Sequence, residues 1–198
     1  MRVGVLALQG GVAPHLERLA ALGHEARAVR RAAQIERLDG LVLPGGESTA
    51  QLHLLADDLA RAVDRHVASG RPVLATCAGV IVAARRGWLD VDVIRNAYGR
   101  QQRSAEAEAE DGTPLVLIRA PRILRTGPGV EVRLRFGGAP VLVQQGAVVG
   151  ATFHPELTSS LRVHAETFAD TGSGARGGGG EPRGSGAVRD AHPPRGLR

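Results

Sequence analysis

The feature that most constrains the fold is a regular alternation of short apolar segments with amphipathic ones over the first 86 residues. Fully apolar strands that alternate with helices are typical of a parallel sheet covered by helices on both faces. We therefore predict an α/β fold for this half of the chain. The predicted strands are residues 2–8, 25–30, 38–44 and 72–76, and the predicted helices lie around 16–22, 48–56, 59–68 and 78–86.

The second half has a different pattern. Five strand candidates follow one another with turn residues between them, and helical spacing returns only at about 159–169. This predicts a mixed, partly antiparallel extension of the sheet. The candidates are residues 91–94, 115–118, 130–136, 140–144 and 147–153.

Length and charge divide the 198-residue chain into a body and a tail. We predict one folded domain over residues 1–170. Residues 171–198 are rich in Gly and Arg and nearly devoid of large apolar residues, so we expect a flexible extension. All 25 basic residues are Arg, and +3 of the net +5 lies in the tail. The nearly neutral body argues against a nucleic-acid partner.

Two further properties concern the cellular setting. No apolar run is long enough to span a membrane, and no secretory signal is recognisable. A single cysteine excludes an internal disulfide and fits a reducing compartment. We therefore expect a cytoplasmic protein with no membrane partner.

Cys77 stands where a buried strand meets the start of a helix, within residues 75–79 (ATCAG). A sharp strand-to-helix turn of this kind exposes a nucleophile. The helix N-terminus places unpaired N–H groups and a positive dipole beside the sulfur, and the N–H of Ala78 can face a developing oxyanion. The alternative is a small buried residue, as most free cysteines are. The position at the junction favours the nucleophile.

His154 and Glu156 follow a predicted apolar strand. Pro155 restricts His154 to extended geometry, in which residues i and i+2 face the same side. Glu156 can then orient the His154 ring and leave the other ring nitrogen for a thiolate. A structural histidine at a strand end is the alternative, and for these residues alone it is the stronger one.

Residues 44–49 (PGGEST) also follow a predicted strand. Paired glycines let the backbone turn its N–H groups inward, and Ser48 or Thr49 is expected to cap the next helix. A plain glycine-rich turn is the alternative. All three features lie at carboxyl ends of strands, where open α/β sheets place their sites. A Cys, a His, a Glu and an oxyanion loop meet the requirement for thiol-dependent acyl transfer.

Six motifs, in order, resemble one family closely. It is the glutaminase subunit of the two-protein pyridoxal 5′-phosphate synthase, a class I, triad-type glutamine amidotransferase. The resemblance covers residues 1–170 and implies a three-layer α/β/α, flavodoxin-like fold. The motifs are residues 7–10 (ALQG), 43–49 (LPGGEST), 76–79 (TCAG), 95–101 (RNAYGRQ), 118–121 (IRAP) and 153–158 (FHPELT).

The resemblance implies a reaction and a set of residue roles. Cys77 would attack the side-chain amide of glutamine, while His154, oriented by Glu156, moves the proton. Gly46 and Ala78 would supply oxyanion N–H groups. The substrate glutamine would contact Gly46, Glu47, Ser48, Arg95, Ile118 and Arg119. Arg95, Arg119 and Glu47 suit the carboxylate and ammonium of an amino acid.

The resemblance also implies partners. The ammonia would pass to a (β/α)₈-barrel synthase subunit in a large hetero-oligomer, and the chain itself would need no cofactor and no metal. Alternatives are a binding-only subunit of the same complex, an amidotransferase of another pathway and, more remotely, a thiol peptidase. The glycine pair also suggests low activity until the synthase docks.

The chain departs from the family pattern at two places. Residues 85–89 (RRGWL) join the Cys77 helix directly to the next strand, where the family usually has a longer segment. Around Ser104 the family tends to carry an acidic residue and an aromatic one, whereas this chain has Arg103 and Ala105. Neither departure removes a residue of the predicted triad.

Overall fold

The computed structural model describes residues 1–55, 57–97 and 105–169. The predicted tail at 171–198, Arg103, Ser104 and the end of the 95–101 motif lie outside this range. The strands are β1 (Arg2–Leu6), β2 (Glu25–Val29), β3 (Gly40–Leu43), β4 (Val73–Thr76), β5 (Val91–Ile94), β6 (Ala105–Glu108), β7 (Pro114–Leu117), β8 (Arg122–Thr126), β9 (Glu131–Phe136), β10 (Ala139–Gln145) and β11 (Val148–Ala151). The helices are α1 (Val12–Ala21), α2 (Ala32–Ile35), α3 (Ser48–Leu54), α4 (Asp57–Ala68), α5 (Ala78–Arg85) and α6 (Arg162–Thr167), with a 3₁₀ helix at Pro155–Leu157.

The central sheet has seven strands in the order β2-β1-β3-β4-β11-β10-β9. The first five are parallel to one another, and β10 and β9 add an antiparallel edge. Two small antiparallel sheets, β5–β8 and β6–β7, lie outside it. The predicted parallel first half and partly antiparallel second half are confirmed.

Helices cover both faces of this sheet, and a hydrophobic core lies on each face. Successive side chains along a strand therefore belong to alternate cores. On β3, Leu41 and Leu43 belong to one core, whereas Val42 belongs to the other. The first core also contains residues of α4 and α5, and the second contains residues of α1 and α6. Strands β3, β4 and β11 are buried along their whole length because both of their faces are covered. This is the predicted three-layer α/β/α arrangement.

The structure corrects the prediction in several details. The helix predicted at about 159–169 is present but shorter, because the chain bends after the 3₁₀ helix at Pro155–Leu157 and α6 spans only Arg162–Thr167. The short α2 and the strands β6 and β8 were not predicted. Within the described ranges, no helix is long and apolar enough to cross a bilayer.

Candidate active site

Cys77 occupies the turn between β4 and α5, as predicted. Its backbone has φ +47° and ψ −106°, a conformation that costs free energy for any residue other than glycine. Its N–H donates to the carbonyl of Ala151 on the neighbouring strand β11 (2.8 Å). The turn also lies tightly against β3, since a Cβ at Gly79 would be 2.1 Å from the carbonyl oxygen of Leu43. Packing on both sides therefore maintains the strained turn.

His154 and Glu156 reach the same point from β11, which pairs with β4 in parallel. The Nδ1 of His154 lies 2.7 Å from the Oε1 of Glu156, so the predicted contact between the two side chains is present. The His154 side chain is 12% exposed and that of Glu156 only 2%. The backbone N–H of His154 donates to the carbonyl of Val116 (2.9 Å), which anchors the histidine to β7.

The charges of His154 and Glu156 stabilise each other. Burial lowers the pKa of His154, but its interactions with Cys77 and with the carboxylate of Glu156 raise it to about 10. Burial raises the pKa of Glu156, but the hydrogen bond from His154 and the positive charge of His154 bring it below its usual value. At neutral pH His154 and Glu156 form a buried imidazolium–carboxylate pair. The Sγ of Cys77, at the same cavity, lies 3.8 Å from the carbonyl oxygen of Ile118.

The glycine turn after β3 lies directly against these residues. A Cβ at Gly45 would be 2.5 Å from the Cε1 of His154. Gly46 has φ +153°, and a Cβ there would be 2.3 Å from the Oε1 of Gln9. Both positions therefore require glycine. The carbonyl of Gly45 accepts from the N–H of Gly11 (3.2 Å), so the N–H of Gly46, in the same planar peptide, points away from Gly11.

A cavity of about 270 Å³ opens beside Cys77. It brings together every residue predicted to form the site except Glu156, which is buried behind His154. Gln9, Ile81 and Asn96 also line it, although no role was predicted for them. Gln9 and Asn96 lie inside motifs that carry the family resemblance, and that was the available signal. The lining residues are Gln9, Gly46, Glu47, Ser48, Cys77, Ala78, Ile81, Arg95, Asn96, Ile118, Arg119 and His154.

The rim of this cavity carries an ion pair. The guanidinium of Arg95 donates to the Oε1 of Glu47 (2.7 Å) and to the hydroxyl of Thr49 (3.1 Å). Glu47 also caps α3, because its carboxylate accepts from the N–H groups of Ala50 (2.8 Å) and Thr49 (3.1 Å). These backbone hydrogen bonds, with that of Arg95, lower the pKa of Glu47 to about 2.

One expectation about the rim is corrected by the structure. The prediction that Ser48 or Thr49 caps α3 is wrong, because the capping side chain belongs to Glu47. A carboxylate competes well for this place, since the helix N-terminus carries positive charge. Ser48 is buried and lines the cavity instead. Arg119 is a second cationic residue at the cavity, held with φ +48° just beyond β7.

A doubly covered parallel sheet, with a strained cysteine at one strand end and a His–Glu pair at the next, defines a class of thiol-dependent α/β amidotransferases. The chain belongs to the SNO glutamine amidotransferase family, whose model matches residues 5–170.

Individual relatives agree with this family. The chain is 44% identical over 180 residues to the pyridoxal 5′-phosphate synthase subunit PdxT of Thermotoga maritima, covering 83% of this chain and 96% of that protein. It is 46% identical over 178 residues to the subunit of the same name from Methanothrix thermoacetophila, covering 82% and 96%. A crystal structure described as a glutamine amidotransferase superposes with a TM-score of 0.77 at 43% identity, covering 84% of this chain and 97% of that one.

Proposed function

We propose that this chain is the glutaminase subunit of a pyridoxal 5′-phosphate synthase and hydrolyses L-glutamine to L-glutamate and ammonia. The observation that carries the proposal is the His154–Glu156 pair (2.7 Å) beside a cavity that Cys77 and His154 both line and that carries cationic and anionic side chains. The family and the relatives named above supply the substrate and the pathway.

In the proposed reaction, the sulfur of Cys77 attacks the side-chain amide carbon of glutamine. The carbonyl oxygen becomes an oxyanion, for which the N–H groups of Gly46 and Ala78 are the proposed donors. His154 transfers a proton to the departing nitrogen, and ammonia leaves as a thioester forms. His154 then takes a proton from water, which attacks the thioester and releases glutamate. Glu156 stabilises the imidazolium form throughout.

The amino-acid end of glutamine is proposed to bind at the rim. A carboxylate is best held by a guanidinium, and an ammonium by a carboxylate. Arg95, Arg119 and Glu47 offer these groups, with Ser48 and Ile118 completing the contact surface. Since Arg95 and Glu47 are paired with each other, glutamine must exchange that contact for contacts with its own charged groups.

The larger setting is also proposed. The ammonia would pass to a synthase subunit with a (β/α)₈ barrel, in a large cytoplasmic hetero-oligomer. Residues 1–170 would form the glutaminase domain, and residues 171–198 would be an appended Gly/Arg-rich segment. No cofactor is needed for the proposed hydrolysis, because Cys77 and His154 supply both the nucleophile and the proton transfer.

The test is glutamate production by the full chain, with and without the synthase subunit of the same organism. We expect slow turnover alone and much faster turnover in the complex, because glycines 45 and 46 let their shared peptide reorient on docking. The Cys77→Ala variant should release no glutamate in either condition. Equal turnover by the wild type and this variant would refute the proposed chemistry.

A further inference from the structure

Two fully buried histidines lie behind the proposed triad. His15 projects from α1 and His164 from α6, and neither side chain reaches solvent. The Nε2 of His15 is 3.4 Å from the Oε2 of Glu156 and 3.1 Å from the hydroxyl of Thr76. Its Nδ1 is 2.9 Å from the Nε2 of His164. The two rings therefore extend the buried polar cluster behind His154 and Glu156.

The second carboxylate oxygen of Glu156 has few partners. Oε1 contacts His154, but Oε2 is buried and makes no well-formed hydrogen bond within the described residues. The Nε2 of His15, 3.4 Å away, brings an N–H group close to that oxygen. A buried carboxylate oxygen is costly to leave unpaired, so a donor at His15 bears directly on where the Glu156 carboxylate rests.

The position of each proton follows from the charge of Glu156. The Nε2 of His15 is within hydrogen-bond distance of the Thr76 hydroxyl (3.1 Å) and also faces the Oε2 of Glu156 (3.4 Å). A lone pair there would be repelled by the carboxylate, so Nε2 carries the proton and donates it to the Thr76 hydroxyl. The Nδ1 of His15 must then accept, which makes the Nε2 of His164 the donor between the two rings. The Nδ1 of His164 is left as an acceptor, and it has no hydrogen-bond partner within the described residues. An unpaired acceptor agrees with this assignment.

We propose that His15, supported by His164, is a positioning residue that holds the Glu156 carboxylate in place for His154. The inference rests on the proposed glutaminase function, because the reaction is what the positioning would serve. Neither histidine is among the residues that line the cavity. His15 contacts Glu156 and also the hydroxyl of Thr76, the residue before Cys77.

Both histidines are suited to this task because they are neutral. Burial lowers the pKa of His15 to about 4 and that of His164 to about 3. The charged groups that face them are Glu156, His154 and Arg18, whose guanidinium donates to the backbone carbonyl of Glu156 (3.1 Å). The neutral N–H of His15 turns the positive end of its dipole towards Oε2 without cancelling the carboxylate charge. The full negative charge therefore remains to stabilise the imidazolium of His154.

The test compares four variants of the full chain with the synthase subunit present. His15→Leu removes the donor, whereas His15→Gln keeps an N–H group near the Nε2 position. The matched control is His66→Leu, because His66 is equally buried but lies on α4, near the opposite end of β4. His164→Leu serves as a second variant if His15→Leu does not fold.

We expect His15→Leu to lower kcat about tenfold or more with an unchanged KM for glutamine. His15→Gln should recover most of that loss, and His66→Leu should retain wild-type kcat. His164→Leu should lower kcat less than His15→Leu. Wild-type kcat in His15→Leu, or an equal loss in His66→Leu, would overturn the inference.

A second readout does not depend on glutamine turnover. The Nδ1 proton of His154, which is shared with Glu156, can be followed by NMR in the wild type without substrate. We expect this resonance to broaden by faster exchange with water in His15→Leu and to persist in His66→Leu. An unchanged resonance in His15→Leu would overturn the positioning role even if the wild type proved to have no glutaminase activity. A wild type without glutaminase activity would instead refute the proposed function.

Discussion

Two ion pairs in the same site differ sharply in their surroundings. The pair His154–Glu156 is almost inaccessible, with 12% and 2% of the side chains exposed, whereas the pair Arg95–Glu47 at the rim is 47% and 41% exposed. Water screens the rim pair, so it contributes little to stability and exchanges readily. Water cannot replace either member of the buried pair, so removing one member leaves an uncompensated buried charge. The contrast separates a fixed reacting centre from an exchangeable binding surface.

The largest effect should come from the buried pair. Glu156→Gln removes the charge that stabilises the imidazolium of His154 and favours the wrong ring tautomer. We expect kcat for glutamine hydrolysis to fall by up to about 10⁴-fold, measured as glutamate release in the complex. Glu166→Gln, which changes an exposed ion-paired glutamate, is the control and should leave kcat unchanged. A Glu156→Gln variant with near wild-type kcat would show that the buried pair is not the reacting centre.

The next effect concerns the glycine turn between the two regions. In Gly46→Ala the new Cβ would be 2.3 Å from the Oε1 of Gln9, so the loop must shift and carry its N–H away. We expect kcat to fall by about 10²- to 10³-fold, as for the loss of one oxyanion donor.

The control for the glycine turn is Gly70→Ala. Gly70 also has a positive φ, but a Cβ there has no neighbour within 4 Å. This variant should lose some stability, seen as a lower Tm, and keep its kcat. Similar kcat values for the two variants would mean that Gly46 plays no part in catalysis.

A smaller effect, on binding alone, should come from the rim. Arg95→Gln removes a cation proposed to hold the glutamine carboxylate, and we expect KM to rise about 10- to 100-fold with kcat changed little. Steady-state kinetics over a range of glutamine concentrations would measure both. Arg65→Gln, which breaks an exposed ion pair with Glu36 on another surface, is the control. A fall in kcat with constant KM would place Arg95 with the reacting centre instead.

The smallest effect is on the pH dependence of stability. The folded protein holds His15, His66 and His164 with pKa values of about 4, 4 and 3, below the usual 6.5. Below pH 6.5 the unfolded chain therefore binds protons that the folded chain does not, so stability falls as the pH falls towards these values. Each histidine contributes up to about 1.4 kcal/mol per pH unit within that window.

Urea denaturation of the wild type at pH 7 and pH 5 would measure this loss. His66→Gln should reduce it, since one buried histidine no longer titrates. The raised pKa of His154 acts in the opposite direction and only above pH 6.5, where its contribution to stability declines as the pH rises towards 10. A stability that is constant between pH 5 and pH 7 would contradict the neutral, buried state of the three histidines.

The sequence predicts the parts of the fold that depend on local patterns. The apolar strands β1, β3 and β4 stand out because both faces of the sheet are covered. Strand β8 does not, because Ile123 is the one fully buried residue along it, and the Ala–Glu alternation of β6 offers no β-branched or aromatic residue. The four-residue α2 is too short for its period to be recognised.

The site residues also divide into those that local sequence patterns predict and those that only the fold brings together. Cys77, His154 and Glu156 were predicted because each lies at a strand end and two are neighbours in sequence. The convergence of His15 and His164 depends on two helices at opposite ends of the chain, which only the folded sheet brings together. The capping role of Glu47 was missed because short polar residues beside it are the commoner caps.

The most direct test of the central claim is to look for the covalent intermediate. The complex is mixed with glutamine, quenched in acid within the first turnovers, and the mass of this chain is measured after digestion. We expect a γ-glutamyl group on the peptide that contains Cys77. Hydrolysis of this group should be fast enough to account for the rate at which free glutamate forms. Glutamate release at the wild-type rate by Cys77→Ala, with no modified peptide in the wild type, would contradict the central claim.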